Sequence, residues 1–323
     1  MTITITNGTL TSINETLTAD SGYDLPSSIT VSGATSSYNN GTISLTSLTS
    51  SMSITAVGTV SFVPYMSFGS LSIDKMYVGN GRVRKVYYGN TLMFEDTRPQ
   101  VDPVLANNTW AVIKQVCESG QASNYWSVGD TKTDTGTDGV VRTFRIADMQ
   151  GLYNKHVVFE QVNLYDTTKQ WNPSSNLDDD NCYNDYAIST MVSTHLPAYE
   201  LLLSSDLQAT LTNTSVKVAK NGNNGTLLDV SAKLFLPASK EVNTSGQYAR
   251  TEENNALTTW TYYTTHTTSS DRIKYDSTST ARAYWLRSPY SGFTYYVVGV
   301  YSNGSMDVYN AYNYYRVAPC FAY

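Results

Sequence analysis

Apolar and polar residues alternate with a period of two over Thr2-Ile3-Thr4-Ile5-Thr6, and shorter runs of the same kind follow at 28–31, 42–45, 53–57 and 60–63. A period of two turns one side of each run toward a core, which is the mark of a strand. Asn7-Gly8, Ser32-Gly33 and Asn39-Asn40-Gly41 separate the runs as turns. Short strands at this spacing predict an all-β, sandwich-like module over 1–96. Its last part, 76–80 followed by 85–95, reads as a small hairpin element. Two prolines, several charges and no periodicity then mark 97–108 as a linker.

The period becomes helical at Thr109, a capping residue, after which Trp110, Ile113, Val116 and Cys117 share a face and Gly120 stops the run. Strands are expected at 140–146 and 156–162. A second helix is expected from about 185 to His195, with Ile188, Met191 and Val192 on one side and Pro197 ending it. A helical turn after Ser204, strands at 215–219 and 234–237, and a helix from Thr251 to Trp260 complete the approach to the C-terminus. Helices placed ahead of C-terminal strands predict an α+β domain over 109–323.

The last forty residues, 284–323, carry a different pattern. Residues 295–301 and 305–309 read as two strands joined by Ser302-Asn303-Gly304, a three-residue hairpin loop with glycine at the left-handed position. Pairing them puts Val298, Val300, Met306 and Val308 on one face, and Tyr295, Gly299, Tyr301, Ser305, Asp307 and Tyr309 on the other. Tyr312, Asn313, Tyr314 and Tyr315 follow in a loop before 316–321 closes the chain as a buried strand. Ten of the chain's 26 tyrosines lie in this stretch. Each buried phenol needs a hydrogen-bond partner, so most of these rings are expected at the surface. Tyrosine mixed with Ser, Gly, Asn and Asp is the vocabulary of an antibody paratope.

Composition fits a displayed protein better than a cytosolic enzyme. Charged residues make up 15% of the 323, well below the usual ~25%, and Thr, Ser, Asn and Tyr take their place. The net charge of −6 contains no basic block, so neither nucleic acid nor a polybasic membrane contact is expected. No apolar run reaches membrane-span length, and no signal-peptide pattern opens the chain, so a soluble product made in the cytoplasm is expected. Cys117, Cys182 and Cys320 show no metal spacing and read as buried thiols.

The frame Tyr284-Trp285-Leu286-Arg287-Ser288-Pro289, the Ser302-Asn303-Gly304 turn and the ending Arg316-Val317-Ala318-Pro319 resemble the C-terminal part of the C-type-lectin-fold variable proteins of diversity-generating retroelements. The resemblance implies a C-type-lectin-like domain, with a variable region over 284–323. It also implies that template copying with errors at adenines scatters Asn codons into other residues. Tyr290, Phe293, Tyr295, Tyr296, Gly299, Tyr301, Asp307, Tyr309, Tyr312, Asn313, Tyr314 and Tyr315 are of the types such a process leaves. With Ser305 from the outer face, they form the expected ligand-binding set. The N-terminal hairpin element is similar to segments of phage tail and base-plate proteins. The expected setting is therefore a phage tail assembled in a bacterial host, or a bacterial surface. There the N-terminal module would contact other tail proteins, and the tyrosine face would meet a cell-surface receptor, protein or glycan. A homo-oligomer, with a trimer as the phage-tail case, is the expected state. The alternative is a structural virion or surface protein whose tyrosine face packs against another subunit.

Catalytic signatures are missing from the sequence: no GxSxG, HExxH, phosphate loop or CxxC occurs, and His156, His195 and His266 are scattered. The same fold houses sulfatase-modifying enzymes that work through C-terminal cysteines, whereas Cys320 stands alone in an apolar strand. No enzyme activity and no cofactor are expected. Asp178-Asp179-Asp180-Asn181 offers oxygens to a structural calcium ion but lacks the spacing of an EF-hand, and it reads more readily as a solvated loop before a helix.

Overall fold

The computed structural model describes residues 101–323 throughout and, before them, 2–6, 12–16, 28–39, 42–47, 51–57, 77–78, 81–82, 85–88 and 90–95. The turns expected at Asn7-Gly8 and Asn40-Gly41, the strand at 60–63, residues 76, 79, 80 and 89 of the small hairpin element, and 97–100 of the linker lie outside the described residues. The chain divides into two compact units, Met1–Pro99 and Gln100–Tyr323.

In the first unit nearly all described residues are strand. β1 (Thr2–Thr6), β6 (Ser51–Val57) and β3 (Ser28–Ser32) form one antiparallel sheet in the order β1-β6-β3. β2 (Ser12–Thr16), β5 (Thr42–Thr46) and β4 (Thr35–Asn39) form another in the order β2-β5-β4. The backbone register sets Ile3 opposite Ile54 and Ile5 opposite Met52 across β1 and β6, while Ile43 and Leu45 are buried on either side of half-buried Ser44. Two short hairpins follow, β7 (Tyr77–Val78) with β8 (Gly81–Arg82), and β9 (Lys85–Tyr88) with β10 (Thr91–Glu95). The sequence did not single out β2 or β4.

The second unit is mixed: short helices and several small antiparallel sheets, none closed into a barrel among the described residues. The linker is shorter than 97–108, because 101–108 belongs to this unit. Leu105 is buried, and the Asn108 side chain accepts from Asp102 N and donates to the carbonyls of Asp102 and Val104, locking the segment onto itself. Helix α1 (Trp110–Glu118) forms where expected, with Thr109 Oγ1 accepting from Val112 N. It lies against a four-stranded sheet, β11 (Thr131–Thr135), β12 (Val141–Asp148), β13 (Val158–Gln161) and, arriving last, β21 (Cys320–Ala322). Trp110 meets Phe144, Phe159 and Phe321 edge-on, at ring centroid distances of 5.6 to 5.9 Å. The chain's two ends of this unit thus share one core.

The helix expected over 185–195 does not form. The backbone N–H groups of Thr190 and Met191 are taken by Asn172 Oδ1 and the Trp171 carbonyl, near β14 (Lys169–Gln170). Only a π-turn, Met191–His195, and the short α2 (Leu196–Glu200) remain, with Pro197 opening α2 rather than ending a helix. α3 (Ser205–Thr210) follows Ser204, whose hydroxyl caps it. β15 (Thr214–Ala219) pairs with β16 (Leu227–Ala232), and α4 (Ser239–Val242) comes next. The strand expected at 234–237 reduces to one bridge, Phe235 with Cys320, because Leu236 N goes instead to the Tyr186 hydroxyl. The helix expected to reach Trp260 stops sooner, as α5 (Thr251–Ala256), and a separate α6 (Thr261–Thr265) follows.

β17 (Tyr284–Pro289), β18 (Tyr296–Val300) and β19 (Met306–Asn310) make the sheet that matters for the site. Arg287 of β17 is fully buried and forks onto Glu241 of α4, with further bonds to the carbonyls of Leu236 (2.8 Å) and Lys217 (3.1 Å). Its neighbour Ser288 donates to buried Glu253 of α5, which also accepts from Ala219 N at 2.8 Å. A charge buried this deeply is tolerable only with such partners. The Trp-Leu-Arg-Ser order is therefore the core's fastening to α4 and α5. A second buried group joins Glu160, Arg145 and Lys274; burial raises the Glu160 carboxyl, but the two cations bring it down to about 2.

Candidate functional site

The hairpin of β18 and β19 has the expected register: Val298 opposite Val308, Val300 opposite Met306, Gly299 opposite Asp307. Gly304 closes the loop at φ 81°, with Gly304 N donating to the Tyr301 carbonyl at 2.9 Å. Val298, Val300 and Met306 are buried and Val308 half-buried, as alternation requires.

The opposite face departs from expectation at its centre. Tyr309 is only 9% exposed and Val297 beside it is buried. Trp285 from β17 and Tyr315 from β20 (Tyr314–Tyr315) cover this part of the sheet, their rings 5.9 and 4.2 Å from that of Tyr309. Gly299 is buried too, for a steric reason: a Cβ there would come within 2.9 Å of the Tyr309 ring and the Tyr284 carbonyl. Tyr309 and Gly299 are therefore scaffold, ring and seat, and not contact residues. The Tyr309 hydroxyl has no hydrogen-bond partner, and burial pushes its pKa well up.

Away from that centre the rings are open. Phe293, Tyr301, Tyr312 and Tyr314 are exposed, and Tyr290, Tyr295, Tyr296, Ser305, Asp307, Asn313 and Tyr315 are half-buried. Ser305 and Asp307 are partly spent on local bonds: Ser305 Oγ donates to Asn303 Oδ1, and Asp307 Oδ1 accepts from Val308 N.

Two rings that the sequence did not single out complete the surface. Tyr248 stands edge-on to Tyr290 (5.8 Å), which stacks on Phe293 (5.0 Å). Phe293 leads through Tyr296 (5.6 Å) to Tyr295 (4.5 Å), then Tyr183 (6.1 Å) and Tyr312 (6.3 Å). The result is an unbroken run of seven aromatic rings. Its backbone is pinned from beneath: Asn184 Nδ2 donates to the carbonyls of Phe293 and Tyr296, Gly292 N donates to Gly222, and the Tyr183 hydroxyl donates to Asn310 Oδ1. Pinned loops with varied side chains can present rings without losing much entropy on contact.

Asp178, Asp179 and Asp180 do come together, their carboxylates within 4.8 Å of one another. Lys220 sits among them, paired to Asp179 and Asp180, and Asn221 donates to Asp178 and Asp180. The lysine ammonium supplies the positive charge that the cluster calls for.

The thiols are poor nucleophiles. Burial pushes Cys117 up to about 12 and Cys182 up to about 11, and Cys320 well above its usual value. His266 lies flat on Tyr262 at 3.9 Å, and burial lowers the pKa of His195. Among the described residues no helix is long and apolar enough to cross a membrane.

Residues 174–322 match a family profile described as a domain of unknown function, DUF6273. That span runs from the loop before Asp178 to the last strand and takes in the whole aromatic run: Tyr183, Tyr248 and 290–312 all lie inside it. No curated protein and no solved structure matches the chain.

Proposed function

We propose that the second unit is a ligand-binding module of C-type-lectin type that presents a diversified aromatic surface, and that the first, sandwich-like unit carries it on a phage tail or bacterial surface. The observation that carries this reading is the division within one hairpin and its flanks. Val297, Val298, Val300 and Met306 are buried, while Phe293, Tyr301, Tyr312 and Tyr314 stand in solvent. A surface meant to change its residues must be energetically separate from its fold, and here the exposed rings lie outside β18 and β19, in their turn and flanks. Hot spots at such interfaces are worth ~2 kcal/mol or more each, and several copies on one particle would add avidity.

The test is binding of the fluorescently labelled full chain to a panel of bacterial strains, read by flow cytometry. Replacing Phe293, Tyr295 and Tyr312 together by Ala should remove binding and leave the thermal midpoint within a few degrees. Unchanged binding by the triple variant sinks the reading. If the same substitutions instead break a self-association seen by light scattering, with no cell bound by the wild type, the subunit-packing alternative takes its place.

A further inference from the structure

Among the described residues two tyrosines have a left-handed backbone, Tyr153 at φ 59° and Tyr248 at φ 71°. A bulky residue is strained there, and such strain persists only where the surrounding structure enforces it. For Tyr153 the reason lies inside the fold. Its hydroxyl donates to buried Glu241 and accepts from Trp260 Nε1 at 3.0 Å, and its ring stands edge-on to Phe235 at 5.5 Å. Tyr248 makes no comparable contacts. Its side chain is 38% exposed, its ring meets only that of Tyr290 in the surface run, and its hydroxyl has no partner among the described residues.

The turn that carries Tyr248 is held through its backbone instead. Gly246 takes a first left-handed position at φ 59°; its N–H donates to the Asn243 carbonyl, and its own carbonyl accepts from Asn254 Nδ2, each at 2.9 Å. The Gln247 carbonyl accepts from Ser239 Oγ at 2.7 Å and the Tyr248 carbonyl from Ser291 N at 3.1 Å, while Ala249 bridges to Tyr290. None of these bonds uses the Tyr248 side chain. Glycine at 248 would keep every one of them and release the backbone strain, as glycine does at 246. The fold itself gives no reason for a ring at this position.

Resting on the ligand-binding reading above, we infer that Tyr248 is a ligand-contact residue, a fixed ring held at one end of the aromatic run. It lies outside 284–323, so its contact stays when the residues at 290, 293, 295 and 312 change, and the ligands of different variants meet the same ring at that end. The ring supplies apolar area and its free hydroxyl one donor and one acceptor. The stapled backbone leaves little freedom to lose on contact.

The test uses cells that the wild-type full chain binds in the flow-cytometry panel. Tyr248→Gly should weaken that binding by about tenfold or more. It should also melt about 2–4 °C above Tyr248→Ala, which loses the same ring but keeps the unfavourable φ. Amide exchange at Ser291, whose N–H is bonded to the carbonyl of residue 248, should stay as slow as in the wild type, because the turn keeps its shape. Undiminished binding by Tyr248→Gly, with binding lost in the Phe293, Tyr295 and Tyr312 triple variant, overturns the inference and leaves the ligand-binding reading standing. Lost binding together with fast exchange at Ser291 also overturns it, since Tyr248 would then act by holding the loop and not by contact. Tyr248→Gly melting below Tyr248→Ala removes the strain argument and the inference with it. A wild type that binds no cells removes the ligand-binding reading itself.

Discussion

Replacing Tyr309 by Ala distinguishes a scaffold ring from a displayed one. The ring is nine-tenths buried, 4.2 Å from Tyr315 and 5.9 Å from Trp285, seated over Gly299. Truncating a buried aromatic side chain to Ala costs about 3–5 kcal/mol, the transfer of the ring plus the cavity left behind. The hydroxyl has no partner to lose, and a little of the ring is already wet, so the low end applies, ~3 kcal/mol. A domain of this size loses ~2–4 °C per kcal/mol, which gives a fall of ~6–12 °C. Tyr301 stands in the next turn of the same hairpin but is 47% exposed, so Tyr301→Ala should stay within ~0.5 kcal/mol of the wild type. Differential scanning calorimetry of the full chain, followed at the transition of the second unit, reads both. Equal midpoints for the two variants, or a large fall for Tyr301→Ala alone, would refute the assignment of Tyr309 to the core.

Other expectations follow from the buried charges, the hairpin loop and the acidic cluster. Glu241→Leu leaves the Arg287 guanidinium buried without its carboxylate, and urea unfolding should show a loss of about 3–5 kcal/mol; a loss below 1 kcal/mol would mean that water reaches Arg287. Burial holds the Glu253 and Asp185 carboxyls up at about 6 in the fold. The folded state therefore binds protons more tightly than the unfolded chain, and stability should rise as pH falls from 7 through 6. Glu160, held down at about 2, works the other way and withdraws stability below the ordinary carboxylate range, so the urea midpoint should peak between ~pH 4.5 and 6. A monotonic fall from pH 7 to 5 contradicts these assignments. Gly304→Val forces a β-branched residue to φ 81° with its Cβ against the Ser269 carbonyl, and should cost more than ~2 kcal/mol by denaturant titration. Because Lys220 already occupies the Asp178–Asp180 cluster, millimolar calcium or a chelator should move the melting point by less than ~1 °C; a clear rise with calcium would restore the ion.

The hairpin was legible because everything that specifies it is local: a period of two on each side of Ser302-Asn303-Gly304 fixes the register and the buried valines. Helix α1 was legible for the same reason, its cap, apolar face and stop all lying within twelve residues. What covers the hairpin was not legible. Trp285 and Tyr315 reach Tyr309 through sheet pairing and chain return, so an outward parity became an inward position. Tyr183 and Tyr248 join the surface from loops far upstream, where no periodicity marks them. The helix expected at 185–195 had a valid apolar pattern, but tertiary bonds from 171–172 claimed the amides of Thr190 and Met191 in its middle.

If the second unit presents a diversified surface, as proposed, the displayed positions are free to vary while the positions beneath them are held. Sequencing the DNA around the gene tests this most directly. A near-repeat of the segment encoding 284–323 is expected, near a reverse-transcriptase gene, differing at adenines. Its differences should fall at positions such as Tyr290, Phe293, Tyr295, Tyr301, Tyr312 and Tyr314, and spare Trp285, Arg287, Val298, Val300 and Met306. No repeat, or a repeat whose differences fall equally on the buried residues, would contradict the claim.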